Sequence, residues 1–236
     1  MNDRIRDPHL DSLLPKIPFD RRGFIATSVV AGFALSVQPV VAQTMIVTDT
    51  QGLTAGDIRI PTRDGSIPGY FARPASGDRF PVILVAPEIW GAHEHIKDVA
   101  RRLAKRGYLA VVPEVYARQG EPQKLANVQE VLKLANSKPD AEMMADFDAA
   151  LAWAVKDGRG DPARVGITGF CRGGRTTWLY AAHNPKIRAG VAWYGPVTGN
   201  TSALNPRNPL DLVAEINVPV LGLYGGADQG IPNDTV

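Results

Sequence analysis

The chain has a single cysteine, Cys171, in 236 residues, so no intramolecular disulfide can form and folding does not depend on an oxidising compartment. It has no excess of either charge. Its 26 basic and 24 acidic residues leave a formal net charge of +2, and the basic residues are scattered, which removes the electrostatic case for a nucleic-acid partner. One concentration, Arg101-Arg102 with Lys105-Arg106, falls on the polar side of an amphipathic segment and is expected to be a solvated face. A long apolar run is also missing: the stretch from Phe24 to Val37 is broken by Thr27, Ser28, Gly32 and Ser36, too weak for a stable membrane span. Histidine is scarce, limited to His9, His93, His95 and His183. No repeat and no second domain is visible, and the composition fits one soluble globular domain.

Against these absences stands Gly169-Phe170-Cys171-Arg172-Gly173, a turn that puts the only cysteine at the centre of a G-x-nucleophile-x-G pattern. The β-prone segment Val165-Gly166-Ile167-Thr168 precedes it and a helical stretch, Gly173 to Asn184, follows. In a nucleophile elbow the flanking glycines let backbones approach closely while a strained backbone pushes the nucleophile out above a sheet. The helix N-terminus behind it favours a thiolate and a developing oxyanion. The bland alternative is a small buried cysteine ahead of a helix; the strand, turn and helix context favours acyl-transfer chemistry.

The remaining pattern is α/β. Strand-like runs Ile58 to Thr62 and Ile67 to Ala72 flank the turn Arg63-Asp64-Gly65-Ser66, predicting an edge hairpin that tolerates Pro61 and Pro68. Val82 to Ala86 and Leu109 to Val112 are short continuous apolar runs, as for parallel strands buried on both faces. Helices are predicted over Ile96 to Arg106, Gln123 to Ala135 and Ala141 to Lys156, and further strands over Ala189 to Trp193 and Val218 to Tyr224. In open sheets of this kind ligands sit outside the carboxyl ends of the strands, where the polar motifs fall. Glu88 lies between Pro87 and the bulky Ile89-Trp90, a desolvating setting for a carboxylate rather than that of an ordinary loop glutamate. Asp228 follows the last strand in a glycine-rich turn, where an aspartate is also an ordinary turn former. Trp90, Trp193 and Tyr194 are candidates for lining the pocket or for the core. His93-Glu94-His95 carries metal-ligand residue types at the start of a helix without a third ligand, and no metal is expected.

Taken together, Pro87-Glu88-Ile89-Trp90-Gly91, Tyr116-Ala117-Arg118-Gln119, the Cys171 elbow and Gly225-Gly226-Ala227-Asp228 stand in the order found in the dienelactone hydrolases, and the chain resembles that family of α/β-hydrolases from about Asp57 to Val236. The resemblance implies an α/β-hydrolase fold, a mostly parallel sheet with helices on both faces, and no cofactor. It implies hydrolysis of a small enol-lactone or carboxylic ester, with Cys171 as nucleophile and Asp228 as the carboxylate that orients a histidine. It makes Glu88 the residue that interacts with the resting thiol and helps generate thiolate when substrate binds. The backbone N–H groups of Ile89 and Arg172 would form the oxyanion hole, and Arg118, with Tyr116, would bind a substrate carboxylate.

Two departures stand out. Arg172 beside the nucleophile either lowers the thiol pKa or points into solvent. The family histidine, which follows the acid, has no counterpart, so residues 57–236 are expected to be a C-terminally incomplete domain lacking its last strand, histidine loop and helix. His93 or His95, near Glu88, are the available substitutes. Other readings are a general carboxylesterase, or a catalytically silent binding protein of the same fold. A thiol redox sensor is weakened by the lack of a resolving cysteine.

At the N-terminus, Asp20-Arg21-Arg22-Gly23-Phe24-Ile25, an apolar run to Leu35, and Val40-Val41-Ala42 resemble a twin-arginine export signal. Residues 1–42 are therefore read as the export segment, engaging the export machinery with cleavage after Ala42, and 43–56 as a linker. The destination is the periplasm, or the cytoplasm if the signal does not function.

Overall fold

The computed structural model describes residues 46–236. The export segment 1–42 and the first residues of the linker lie outside the described residues.

Seven strands form one sheet in the order β1-β2-β4-β3-β5-β6-β7. β1 (Leu53–Thr62) and β2 (Gly65–Pro74) make the predicted hairpin, closing at the pair Thr62 and Gly65. β2 runs antiparallel to β4 (Leu109–Pro113). β4, β3 (Phe80–Ala86), β5 (Gly160–Phe170), β6 (Ile187–Trp193) and β7 (Val220–Leu223) are mutually parallel. The helices are α1 (Glu94–Lys105), α2 (Val128–Asn136), α3 (Asp140–Lys156) and α4 (Arg172–His183).

Alternation along the central strands sends side chains to two cores. Val82, Leu84, Leu109, Val111, Val165 and Ile167 pack with Phe147, Leu151, Leu179 and Tyr180 of α3 and α4. Val85, Ala110 and Val112 face the other way, against Ile96, Ala100 and Ala104 of α1. Both faces are thus covered, which is why these strands read as continuous apolar runs. Because β3, β4, β5, β6 and β7 are parallel, their carboxyl ends share one edge, and the segments starting at Pro87, Glu114, Cys171, Tyr194 and Tyr224 leave the sheet side by side.

Three local expectations are corrected. The helix predicted over Gln123 to Ala135 is split into a 3-10 turn, Pro122–Lys124, and α2, because Asn127 breaks the pattern and caps α2 by accepting from the Glu130 N–H at 3.0 Å. β5 starts at Gly160 instead of after a loop through Pro162, with the irregularity absorbed by a register shift between Pro81 and Val82. Arg101 is not a solvated charge: it is 6% exposed and bonded to Glu94, Asp98 and the Tyr70 hydroxyl. Its acidic partners sit on the same helix and turn an apparent surface cation into a buried one.

Candidate active site

β5 delivers Phe170 to the sheet edge and the chain turns sharply at Cys171, whose φ of 56° and ψ of −121° are strained for a residue with a β-carbon. The turn is held from below by the Cys171 N–H donating to Trp193 O at 2.9 Å. The flanking glycines are required by contact. A Cβ on Gly169 would fall on the Gly173 carbonyl oxygen, and one on Gly173 would fall on Ala86 O and lie 2.7 Å from Pro87 O. The first turn of α4 therefore rests on the end of β3, which brings Glu88 and Ile89 beside the thiol.

Glu88 is 2% exposed, and its Oε2 lies 2.9 Å from Nε2 of His93. The Cys171 thiol is half-buried, and burial above all pushes it up to about 12. The negative charges of Glu88 and Asp228 push the same way, while the Arg172 N–H and guanidinium oppose them. The expectation that the helix N-terminus favours thiolate is thus outweighed: at neutral pH the resting group is a thiol. Tyr116 is fully buried, and its Oη has no hydrogen-bond partner among the described residues. Its phenol is pushed up by burial, with Arg172 opposing and Cys171, Glu114 and Glu88 adding to the rise, so it stands among the same charges as the thiol. Tyr194, also pushed up by burial and then by Glu88 and Cys171, closes the group from the end of β6. Neither the Ile89 nor the Arg172 N–H donates to a backbone carbonyl among the described residues.

The structure does not bring Arg118 into this group. Its Nε and Nη2 donate to Asp64 at 2.7 Å each, and its Nη1 donates to both oxygens of Asp146 at 2.9 and 3.1 Å. Asp146 is itself held at 2.5 Å by Lys138, a fully buried lysine that also pairs with Glu142. This ion network ties the β1–β2 turn to α3, and a substrate carboxylate would have to displace two carboxylates to use Arg118. The cation that acts on the thiol is Arg172. Its Nη1 and Nη2 donate to the side-chain oxygens of Asn136 at 3.0 Å and Asn205 at 3.3 Å. No carboxylate among the described residues pairs with it.

Asp228 Oδ1 accepts from the N–H groups of Gly230 and Ile231 at 2.8 and 3.3 Å, and no described histidine bonds to it. His93 is on Glu88, His183 is on Asp148 at 2.8 Å, and His95 packs against His93 and Phe170. Sequence reasoning missed Glu114. Its carboxylate accepts from the Ala92 N–H at 2.8 Å and the Tyr116 N–H at 3.3 Å, which fastens the Glu88 loop to the Tyr116 loop, and burial raises its proton affinity. The signal was present: a Pro-Glu step stands at the carboxyl end of each strand, Pro87-Glu88 just after β3 and Pro113-Glu114 across the end of β4.

Residues 67–236 match the Dienelactone hydrolase family. The chain belongs to the dienelactone hydrolase family. It is 59% identical over 231 residues to a protein of Methylorubrum extorquens provisionally named carboxymethylenebutenolidase, covering 98% of this chain and 79% of that one. A protein of the same provisional name from Escherichia coli is 46% identical over 214 residues, covering 90% and 78% of the two chains. The crystal structure of a protein provisionally identified as a dienelactone hydrolase from Klebsiella pneumoniae superposes with a TM-score of 0.75 at 48% identity, covering 78% of this chain and 77% of that one. This dienelactone hydrolase family member is thus a hydrolase with the α/β-hydrolase fold. The Methylorubrum match also reaches into the N-terminal segment, beyond the range over which the motifs carry the resemblance.

Proposed function

We propose that this hydrolase cleaves a small ester or enol-lactone by attack of the Cys171 sulfur on the substrate carbonyl. The Sγ–H proton passes to the Glu88 carboxylate, and the electron pair left on sulfur forms the bond to the carbonyl carbon. The carbonyl oxygen takes the negative charge between the N–H groups of Ile89 and Arg172. Collapse expels the alcohol or enol oxygen, which takes up a proton, and leaves a thioester that water cleaves to the acid and the free thiol. The observation that carries this reading is the strained Cys171 turn set between two N–H groups not spent on the backbone. A binding module of the same fold has no need to hold a cysteine at a positive φ. Arg172, charged and facing only neutral amide oxygens, favours a substrate that bears a carboxylate over the neutral substrates of a general carboxylesterase.

With p-nitrophenyl acetate the chain should release a burst of about one equivalent of nitrophenol per thiol. Cys171→Ala should lower this acylation rate by about a thousandfold or more while leaving the melting transition intact. Unchanged nitrophenol release from the variant would overturn the assignment.

A further inference from the structure

α4 carries two arginines about one turn apart, and the junction between α2 and α3 meets both. Arg175 is neutralised there: its Nη1 and Nη2 donate to the two oxygens of Asp140 at 2.7 and 2.8 Å, and it is 9% exposed. Arg172 is held differently. Its Nη1 donates to Oδ1 of Asn136 at 3.0 Å and its Nη2 to Oδ1 of Asn205 at 3.3 Å, and both acceptors are amides. A carboxylate in their place would orient the guanidinium and cancel its charge in the same contact. An amide oxygen orients it and leaves the charge whole.

The two asparagines are themselves fixed. Asn136 is the last residue of α2. Asn205, on the loop after β6, donates from Nδ2 to Lys138 O at 3.2 Å and to Leu204 O at 3.0 Å, and its N–H donates to Ser202 Oγ at 3.1 Å. Leu204 O also accepts from the Asp140 N–H at 2.9 Å, which stitches this loop to the junction. The junction is anchored in turn by Lys138, fully buried against Glu142 and Asp146. The charge held in this way follows the nucleophile directly in the chain and acts on its surroundings, opposing the rise of the Cys171 thiol and of the Tyr116 phenol. Left free, a side chain as long as arginine would spread that charge over many rotamers in water.

We propose that Asn136 and Asn205 are positioning residues that set the charge preference of the site. They hold the Arg172 guanidinium beside Cys171 without neutralising it, so that the thiol reacts faster with an anionic partner than with a neutral one of the same shape. This assignment rests on Arg172 being the cation of the substrate site, and adds the residues that make it one.

Iodoacetate and iodoacetamide are the probes, because both alkylate a thiolate by the same displacement and differ in charge: an S–C bond forms, the C–I bond breaks and iodide leaves with its electron pair. Cys171 is the only cysteine, so the ratio of the two second-order rate constants is read at one residue, and the thiolate fraction cancels from it. Relative to the chain unfolded in urea, folded wild type should favour iodoacetate by about fivefold, the effect of one partly solvated charge. Arg172→Gln should remove that preference. Asn136→Ala combined with Asn205→Ala should cut it to about twofold or less, and in the Arg172→Gln background the same pair should leave the ratio unchanged. Asn136→Asp has nearly the same shape, keeps the contact and spends the charge on it; this variant should lose the preference even if the double alanine variant folds poorly. A wild-type ratio in both the double alanine variant and Asn136→Asp, or an effect of the alanine pair that persists with Arg172→Gln, would overturn the positioning role alone. A folded wild-type ratio equal to that of the unfolded chain would overturn the role of Arg172 as well. Hydrolysis is not the readout, so failure of Cys171 as the acyl acceptor would leave these ratios where they are and is told apart from either result.

Discussion

Two histidine–carboxylate pairs flank the helix that carries the nucleophile, and they are nearly the same length. His93 and Glu88 meet at 2.9 Å near its N-terminus, and His183 and Asp148 meet at 2.8 Å at its C-terminus. In the first pair the carboxylate side chain is 3% exposed; in the second both partners are more than 40% exposed. Asp148 also accepts from the Tyr180 hydroxyl at 2.9 Å and the Asn184 amide at 2.7 Å, so it fastens the end of α4 to α3. The surface depression there, lined by Asp148, Leu151, Asn184 and Lys186, contains no cysteine, serine or threonine. A fully satisfied, solvated cluster is a fastener. A buried carboxylate whose negative charge raises the proton affinity of the thiol is placed to exchange a proton with it. Bond length does not separate the two; burial and the next group along do.

The largest expected effect comes from breaking the frame that puts the first pair beside the thiol. Gly173→Ala drives a methyl group into the Ala86 carbonyl and should cost about 3 kcal/mol or more, read as a fall in the urea midpoint. Next, Glu88→Ala should lower ester turnover by about a hundredfold or more. Asp148→Ala should leave turnover unchanged while costing about 1–2 kcal/mol of stability. Equal kinetic effects of the two would erase the distinction.

A smaller effect follows from the buried thiol. The folded chain retains a proton that the unfolded chain releases above about 9, so the stability associated with the thiol is intact below that pH and is lost as pH rises toward about 12. Cys171→Ala lacks this loss. Across that window its stability relative to wild type should rise, by at most about 1.4 kcal/mol per pH unit in denaturant titrations. The smallest effect belongs to His183→Ala, under about 1 kcal/mol and with no change in the alkylation rate of Cys171.

How much of this could be read from the sequence depended on how local the cause was. The elbow was legible because its glycines, its cysteine and the flanking strand and helix are contiguous, although only Gly169 is required by the turn's own Gly173 carbonyl, while Gly173 is required by Ala86 and Pro87 at the end of β3. The strand-end positions of Glu88, Ile89 and Asp228 followed from the order of the apolar runs. The ion pairs of Arg118 were not legible, because its partners, Asp64 and Asp146, are 54 and 28 residues away and meet it only through the hairpin and α3. The buried Arg101 depended on Asp98 three residues before it, a spacing visible in the sequence but overlooked beside a run of basic residues. His93 and Glu88 are five residues apart, yet no helix or strand periodicity pairs them; the turn through Gly91, with its φ of 70°, does.

The central claim, that Cys171 at the elbow forms the bond to the acyl group, is tested most directly by mass spectrometry of the chain quenched early after mixing with p-nitrophenyl acetate. The account predicts one acetyl group per chain, carried as a thioester on the peptide containing Cys171 and absent from Cys171→Ala. An adduct on another residue, or turnover with no Cys171 adduct at any quench time together with undiminished activity of Cys171→Ala, would contradict it.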